Sequence, residues 1–99
     1  MTVTVVESVV GAWDGVEQRR LFGHPSFTVD ERLFALVDED RLALTTLTPP
    51  EREELASLVP VEPFITEGLT AAAWAVVSLT DLDAAEPYLR ASYENARRK

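Results

Sequence analysis

His24 is the chain's one histidine, and Ser26 stands two residues beyond it, the pairing of residue types that a serine nucleophile and its base require. No G-x-S-x-G elbow surrounds them to hold the hydroxyl out for attack, and His24, next to Pro25, is read as part of a turn. Carboxylates are the abundant functional class. Asp38, Glu39 and Asp40 crowd one turn and Asp81, Asp83 and Glu86 another, which raises the question of a hard-cation site. Calcium loops alternate oxygen ligands around a glycine, and neither stretch supplies that pattern, so both groups are read as solvated turn and helix-start carboxylates. Residue type leaves paired-carboxylate glycoside hydrolysis open, although so short a chain has little room for a sugar cleft. Gly23 stands alone, and neither G-x-G-x-x-G nor G-x-x-x-x-G-K-[ST] occurs to cradle a phosphate. These patterns supply no catalytic residue, metal ligand or cofactor site, and the chain is read as a non-enzyme.

Basic residues gather in two places, Arg19-Arg20 and Arg97-Arg98-Lys99. Against them stand 17 acidic side chains for 9 basic ones, a net charge of −8 and a pI near 4.5. Affinity for nucleic acid comes largely from cations that displace condensed counterions, so this balance disfavours a DNA or RNA partner unless the arginines converge on one face. The terminal trio has a plainer use, complementing the dipole at the end of a helix. Seven aromatic residues, Trp13, Phe22, Phe27, Phe34, Trp74, Tyr88 and Tyr93, could stack bases. Most lie in apolar patterns and are read as core instead.

The elements that must position these side chains fit in one domain of 99 residues, with no room for a second core. No apolar run approaches the roughly 20 residues that span a bilayer, so no membrane is expected. The opening MTVTVVESVV has no basic n-region, and a cytoplasmic protein is the default expectation. The absence of cysteine removes disulfides, thiolate nucleophiles and cysteine-based metal sites.

Val6, Val9, Val10 and Trp13 recur at helical spacing, with Thr4 and Glu7 as a capping box and Asp14-Gly15 as the stop. Residues 16–22 and 26–30 read as strands broken at Gly23-His24-Pro25. A third strand, Arg32 to Val37, sets Leu33, Ala35 and Val37 on one face and Phe34 and Leu36 on the other. A fourth, Arg41 to Thr46, sets Leu42 and Leu44 on a common face. Thr48-Pro49-Pro50-Glu51 is a strong helix start; about ten residues should follow, with Leu55, Leu58 and Val59 inward and Pro60 as the end. Residues 63–66 could form a short strand, Glu67-Gly68 a turn, and Ala73 to Leu79 a strand with Trp74 and Val76 opposite Ala75, Val77 and Leu79. Asp83 would cap a last helix to Arg97, with Pro87 in its first turn and Ala85, Leu89, Tyr93 and Ala96 inward. Short links between successive strands give an α+β domain, an antiparallel β-sheet meander with helices packed on it.

The run RRLFGHPSFTVDERLFALVDEDRLAL resembles the TfoX N-terminal domain, in which R-x-M-F-G-G precedes F-x-V-x-G-x-x-F-A and an acidic turn. AWAVVSL and the closing LRASYENARR are similar to the sibling YjbR (MmcQ) family, with its W-x-x-V-x-L and a final helix bearing S-Y. The resemblance spans residues 13 to 97 and rests on Leu21, Phe22, Gly23, Phe27, Leu33, Phe34, Ala35, Trp74, Ser92 and Tyr93. His24 replaces the second glycine of the family pair, and Glu31 stands where a hairpin glycine is usual. The resemblance implies the α+β, frataxin-like fold of those families. It also implies a regulatory role, as in natural competence, or the DNA-binding label that YjbR relatives often carry, and it brings no catalytic residues.

The expectation is therefore a small non-catalytic module, a regulator or adaptor that works through a protein partner, a second copy of the chain included. Arg19, Arg20, His24, Asp38, Glu39 and Asp40 are the exposed polar candidates for that contact. The alternatives are a nucleic-acid binder using Arg19, Arg20 and Arg97 to Lys99, and a metal or small-ligand domain using surface carboxylates.

Overall fold

Two-residue hairpins set the topology. In the computed structural model, which describes residues 2–21, 23–66 and 69–97, strands β1 (Val16–Leu21), β2 (His24–Val29), β3 (Arg32–Asp38) and β4 (Arg41–Leu44) follow one another antiparallel. Helix α1 (Thr2–Val10) precedes them, and α2 (Pro49–Ala56), β5 (Glu62–Thr66), β6 (Leu69–Ser78) and α3 (Leu82–Arg97) follow. The sheet has six strands in the order β1-β2-β3-β4-β6-β5. This is the α+β architecture that the sequence led us to expect. No helix among the described residues is long and apolar enough to cross a membrane.

The β2–β3 turn is Asp30-Glu31, and both residues have positive φ, 52° and 66°. That is the backbone of a type I′ turn, whose twist matches its strands, built here without glycine. The turn expected at Gly23-His24-Pro25 is tighter than the sequence suggested: Leu21 opposes His24 and Arg20 opposes Pro25, so histidine and proline are strand residues. Gly23, at φ 81°, supplies the reversal. Phe22 and the Glu67-Gly68 turn lie outside the described residues.

One core lies between the helices and one face of the sheet. Phe27, Val37, Leu42, Leu44 and Val77 meet Val6 and Val10 of α1 and Ala85, Leu89, Tyr93 and Ala96 of α3. The expected inward stripe of α3 and the faces of β4 and β6 hold. Phe34 does not behave as simple alternation requires. Phe27 opposes Ala35 and Thr28 opposes Leu33, which leaves Phe34 as an extra residue in a β-bulge. The bulge turns Phe34 to the helix side with Ala35 and Val37, while Leu36 stays on the opposite face.

Helix boundaries shift where tertiary contacts outweigh local signals. α1 begins at Thr2, so Thr4 is inside it, and it ends at Val10, ahead of Asp14-Gly15. Thr48 caps α2 as expected, accepting from the Glu51 N–H while the Glu51 carboxylate accepts from the Thr48 N–H. The helix stops at Ala56, before Pro60, and Leu58 beyond it is exposed while Leu55 and Val59 are buried. Before α3, Ser78 caps a single 3-10 turn (Leu79–Asp81), so Asp83 falls inside α3 and Pro87 inside its second turn. Pro87 and Asp83 are both exposed, and the carbonyl that loses its helical donor there lies on the solvent side.

Candidate functional site

Among the described residues no helix joins the apolar cluster on the sheet's second face, and three of the polar candidates, Arg19, His24 and Asp38, lie on that face. Strand pairing fixes which residues share it. Leu21 opposes His24, Arg19 opposes Ser26, and Ser26 opposes Leu36, which belongs with Ala43, Phe64 and Val76 to a small apolar cluster on this face. His24 Nδ1 lies 3.7 Å from Asp38 Oδ1. Asp38 Oδ2 accepts from Arg41 Nη2 at 2.8 Å, and Arg41 Nη1 reaches to 3.7 Å from Glu62 Oε1. A line of polar side chains, His24, Asp38, Arg41 and Glu62, thus runs across this face, one from each of four strands. Asp38 and Arg41 meet because they are directly opposed across the β3–β4 hairpin.

The sheet curls around this line. The His24 and Phe64 rings stand edge to face with centroids 6.1 Å apart, although β3, β4 and β6 separate their strands in the sheet order. A flat sheet would hold such strands roughly 19 Å apart. The curl closes β5 over the face, buries Phe64, and packs it against Trp74 at 5.2 Å between centroids.

The expected candidates do not all come together. His24 and Asp38 do. Glu39 and Asp40 form the exposed tip of the adjoining hairpin, with Glu39 at φ 57°. Arg19 and Arg20, as neighbours on a strand, point to opposite faces: Arg19 shares the helix-free face and donates to Glu17 Oε1 at 2.6 Å, while Arg20 donates to the Gly23 carbonyl at 2.8 Å. Arg41 and Glu62 were missed by the sequence reading. The D-x-x-R spacing across a two-residue turn was a usable signal for Arg41; nothing local marked Glu62.

β1 itself is an open element. It ends the sheet at one edge, and every residue from Glu17 to Leu21 is exposed. Its other neighbour is a groove of about 220 Å³ between α1 and β1, walled by Glu7, Val10, Gly11, Val16, Gln18 and Phe27.

His24, Asp38 and Ser26 share a face without forming a triad. Ser26 is buried, and its hydroxyl donates to the His24 carbonyl at 3.0 Å. Among the described residues no group of three or more His, Asp or Glu side chains is placed to hold a metal. The second acidic group divides: Asp81 lines a recess beside Arg41, whereas Asp83 and Glu86 border another beside Trp13 and Arg90. Most of the described aromatic rings are packed against other side chains. Trp13 packs on Tyr93 and Phe34, with the Arg90 guanidinium over its ring at 5.0 Å, and Phe27, Phe34 and Tyr93 are buried. Tyr88 donates to Glu54 Oε1 at 2.7 Å, and that hydrogen bond, aided by burial and by the charges of Glu54 and Glu51, raises the phenol's pKa.

Compared with known proteins, the chain matches no protein-family model and no curated protein.

Proposed function

We propose that this protein is a small non-catalytic module of the TfoX/YjbR type, a cytoplasmic regulator or adaptor that works by protein–protein contact. Its contact surface is the β1 edge together with the adjoining helix-free face, where Arg19, His24 and Asp38 lie. The observation that carries the reading is β1 itself, an outermost strand exposed from Glu17 to Leu21. An open strand edge offers a row of backbone donors and acceptors, and other chains recognise such edges by adding a strand. The α+β architecture is the fold class that the resemblance to those families implies.

A nucleic-acid interface has less behind it. Arg19 and Arg20 diverge, and Arg19 and Arg97 each lie against a carboxylate, Glu17 and Glu94. Arg98 and Lys99 lie outside the described residues.

The test is affinity capture from the native cytoplasm with the wild-type chain and with the R19A/R20A double variant as bait. Loss of a captured protein by the variant, with its circular dichroism unchanged, supports the reading. A variant that retains every protein bound by the wild type removes β1 from the contact surface.

A further inference from the structure

We infer that the partner of β1 is β1 of a second copy of this chain, paired antiparallel about a twofold axis at Gln18. This rests on the reading of β1 as the contact strand and commits it to one occupant.

Symmetry and charge select the register. Two identical strands joined antiparallel are related by an axis perpendicular to the sheet, and residues that oppose one another must lie on the same face. Side chains alternate along a strand, so the axis has to pass through a residue position. An axis at Glu17 sets two Glu17 carboxylates against each other, and one at Arg19 sets two guanidinium groups against each other; like charges directly opposed destabilise a pair. An axis at Gln18 removes both conflicts. Glu17 of each copy then opposes the partner's Arg19, twice by symmetry, on the helix-free face. Glu17 and Arg19 already lie 2.6 Å apart within one chain, so association would extend each pair into a cluster of four alternating charges.

The helix-side face fits the same register. Val16 opposes the partner's Arg20, which would lie over the groove of about 220 Å³ between α1 and β1. Val10, Val16 and Phe27 offer apolar wall to the arginine stem, and Glu7 offers a carboxylate at the same groove. Charges on an edge strand normally ward off pairing. Here the opposite signs on one face, two residues apart, are complementary to themselves.

Sedimentation equilibrium of the full chain tests this with E17R, R19E and the E17R/R19E swap, all at exposed positions. The wild type is expected at twice the 11.0 kDa chain mass. Each single reversal turns two attractive pairs into repulsive ones and should weaken association roughly tenfold or more, and the swap should restore it. Because the chain has no cysteine, Q18C gives a second readout: mild oxidation should link Q18C into a covalent dimer well ahead of L21C, which lies off the axis. A monomeric wild type, a swap no better than the single reversals, or equal linking of Q18C and L21C overturns the inference. A monomeric wild type that still loses a captured protein on R19A/R20A would leave the contact-strand reading standing and sink this one alone.

Discussion

The Ser92 hydroxyl donates to the Phe34 carbonyl at 2.6 Å across 58 positions of sequence. The β-bulge displaces Phe34 from its ladder, and its carbonyl is taken up by the Thr45 N–H at 3.2 Å and by Ser92. Ser92 Oγ also accepts from the Thr46 N–H at 3.2 Å, and Thr46 Oγ1 donates to the Ser92 carbonyl at 2.5 Å. One turn later Asn95 Nδ2 donates to the Thr46 carbonyl and to Glu51, the acid of the α2 capping box. A serine and an asparagine on α3 thereby fix the irregular backbone of β3, the exit of β4 and the start of α2. The helix-free face depends on this arrangement, because the bulge sets which residues of β3 face it.

Replacing Ser92 with alanine removes a buried donor and leaves the Thr46 N–H short of an acceptor. The expected loss is about 1–3 kcal/mol, read as a lower urea midpoint at unchanged slope. A smaller loss for S92T than for S92A would assign the effect to the hydroxyl; equal losses would assign it to packing.

Glu31 sits in the left-handed region at φ 66° beside Asp30 at 52°. Glycine meets no steric penalty there, so E31G should stabilise the protein by about 1 kcal/mol despite its more flexible unfolded chain. Thermal and urea unfolding measure this. E31A, which keeps a Cβ without supplying glycine's freedom, should give none of that gain.

The Tyr88 phenol is held protonated beyond its ordinary value of 10.0, chiefly by its hydrogen bond to Glu54. A group whose folded pKa is raised contributes stability below its unfolded pKa and loses it as pH climbs through the folded one. Stability should therefore decline above pH 10.0. The E54Q variant should shift part of the tyrosinate absorbance to lower pH and flatten that decline. An absorbance titration identical to wild type would show that the Glu54 contact does not govern the phenol.

Local signals were legible wherever a few neighbouring residues settle the outcome. Thr48 and Glu51 satisfy each other's backbone within one turn, so the capping box could be read directly. Alternation put Leu42 with Leu44, and Ala75 with Val77, on common faces without reference to any partner, and the structure covers those faces with the helices. At Gly23 the same reasoning overreached. His24 and Pro25 look like turn residues, yet Arg20 bonds the Gly23 carbonyl and the strand resumes at once.

The sequence by itself determined the element order, the meander and most of the core, because periodicity and capping act over one to four residues. Only the tertiary structure decided that Phe34 would bulge and that Phe64 would come over His24. A bulge depends on register with another strand and a curl on the summed twist of six, and both distances are set by pairing between residues far apart in the chain. The opposed faces of Arg19 and Arg20 follow from alternation, but that β1 would lie at an open edge depended on where the sheet ended.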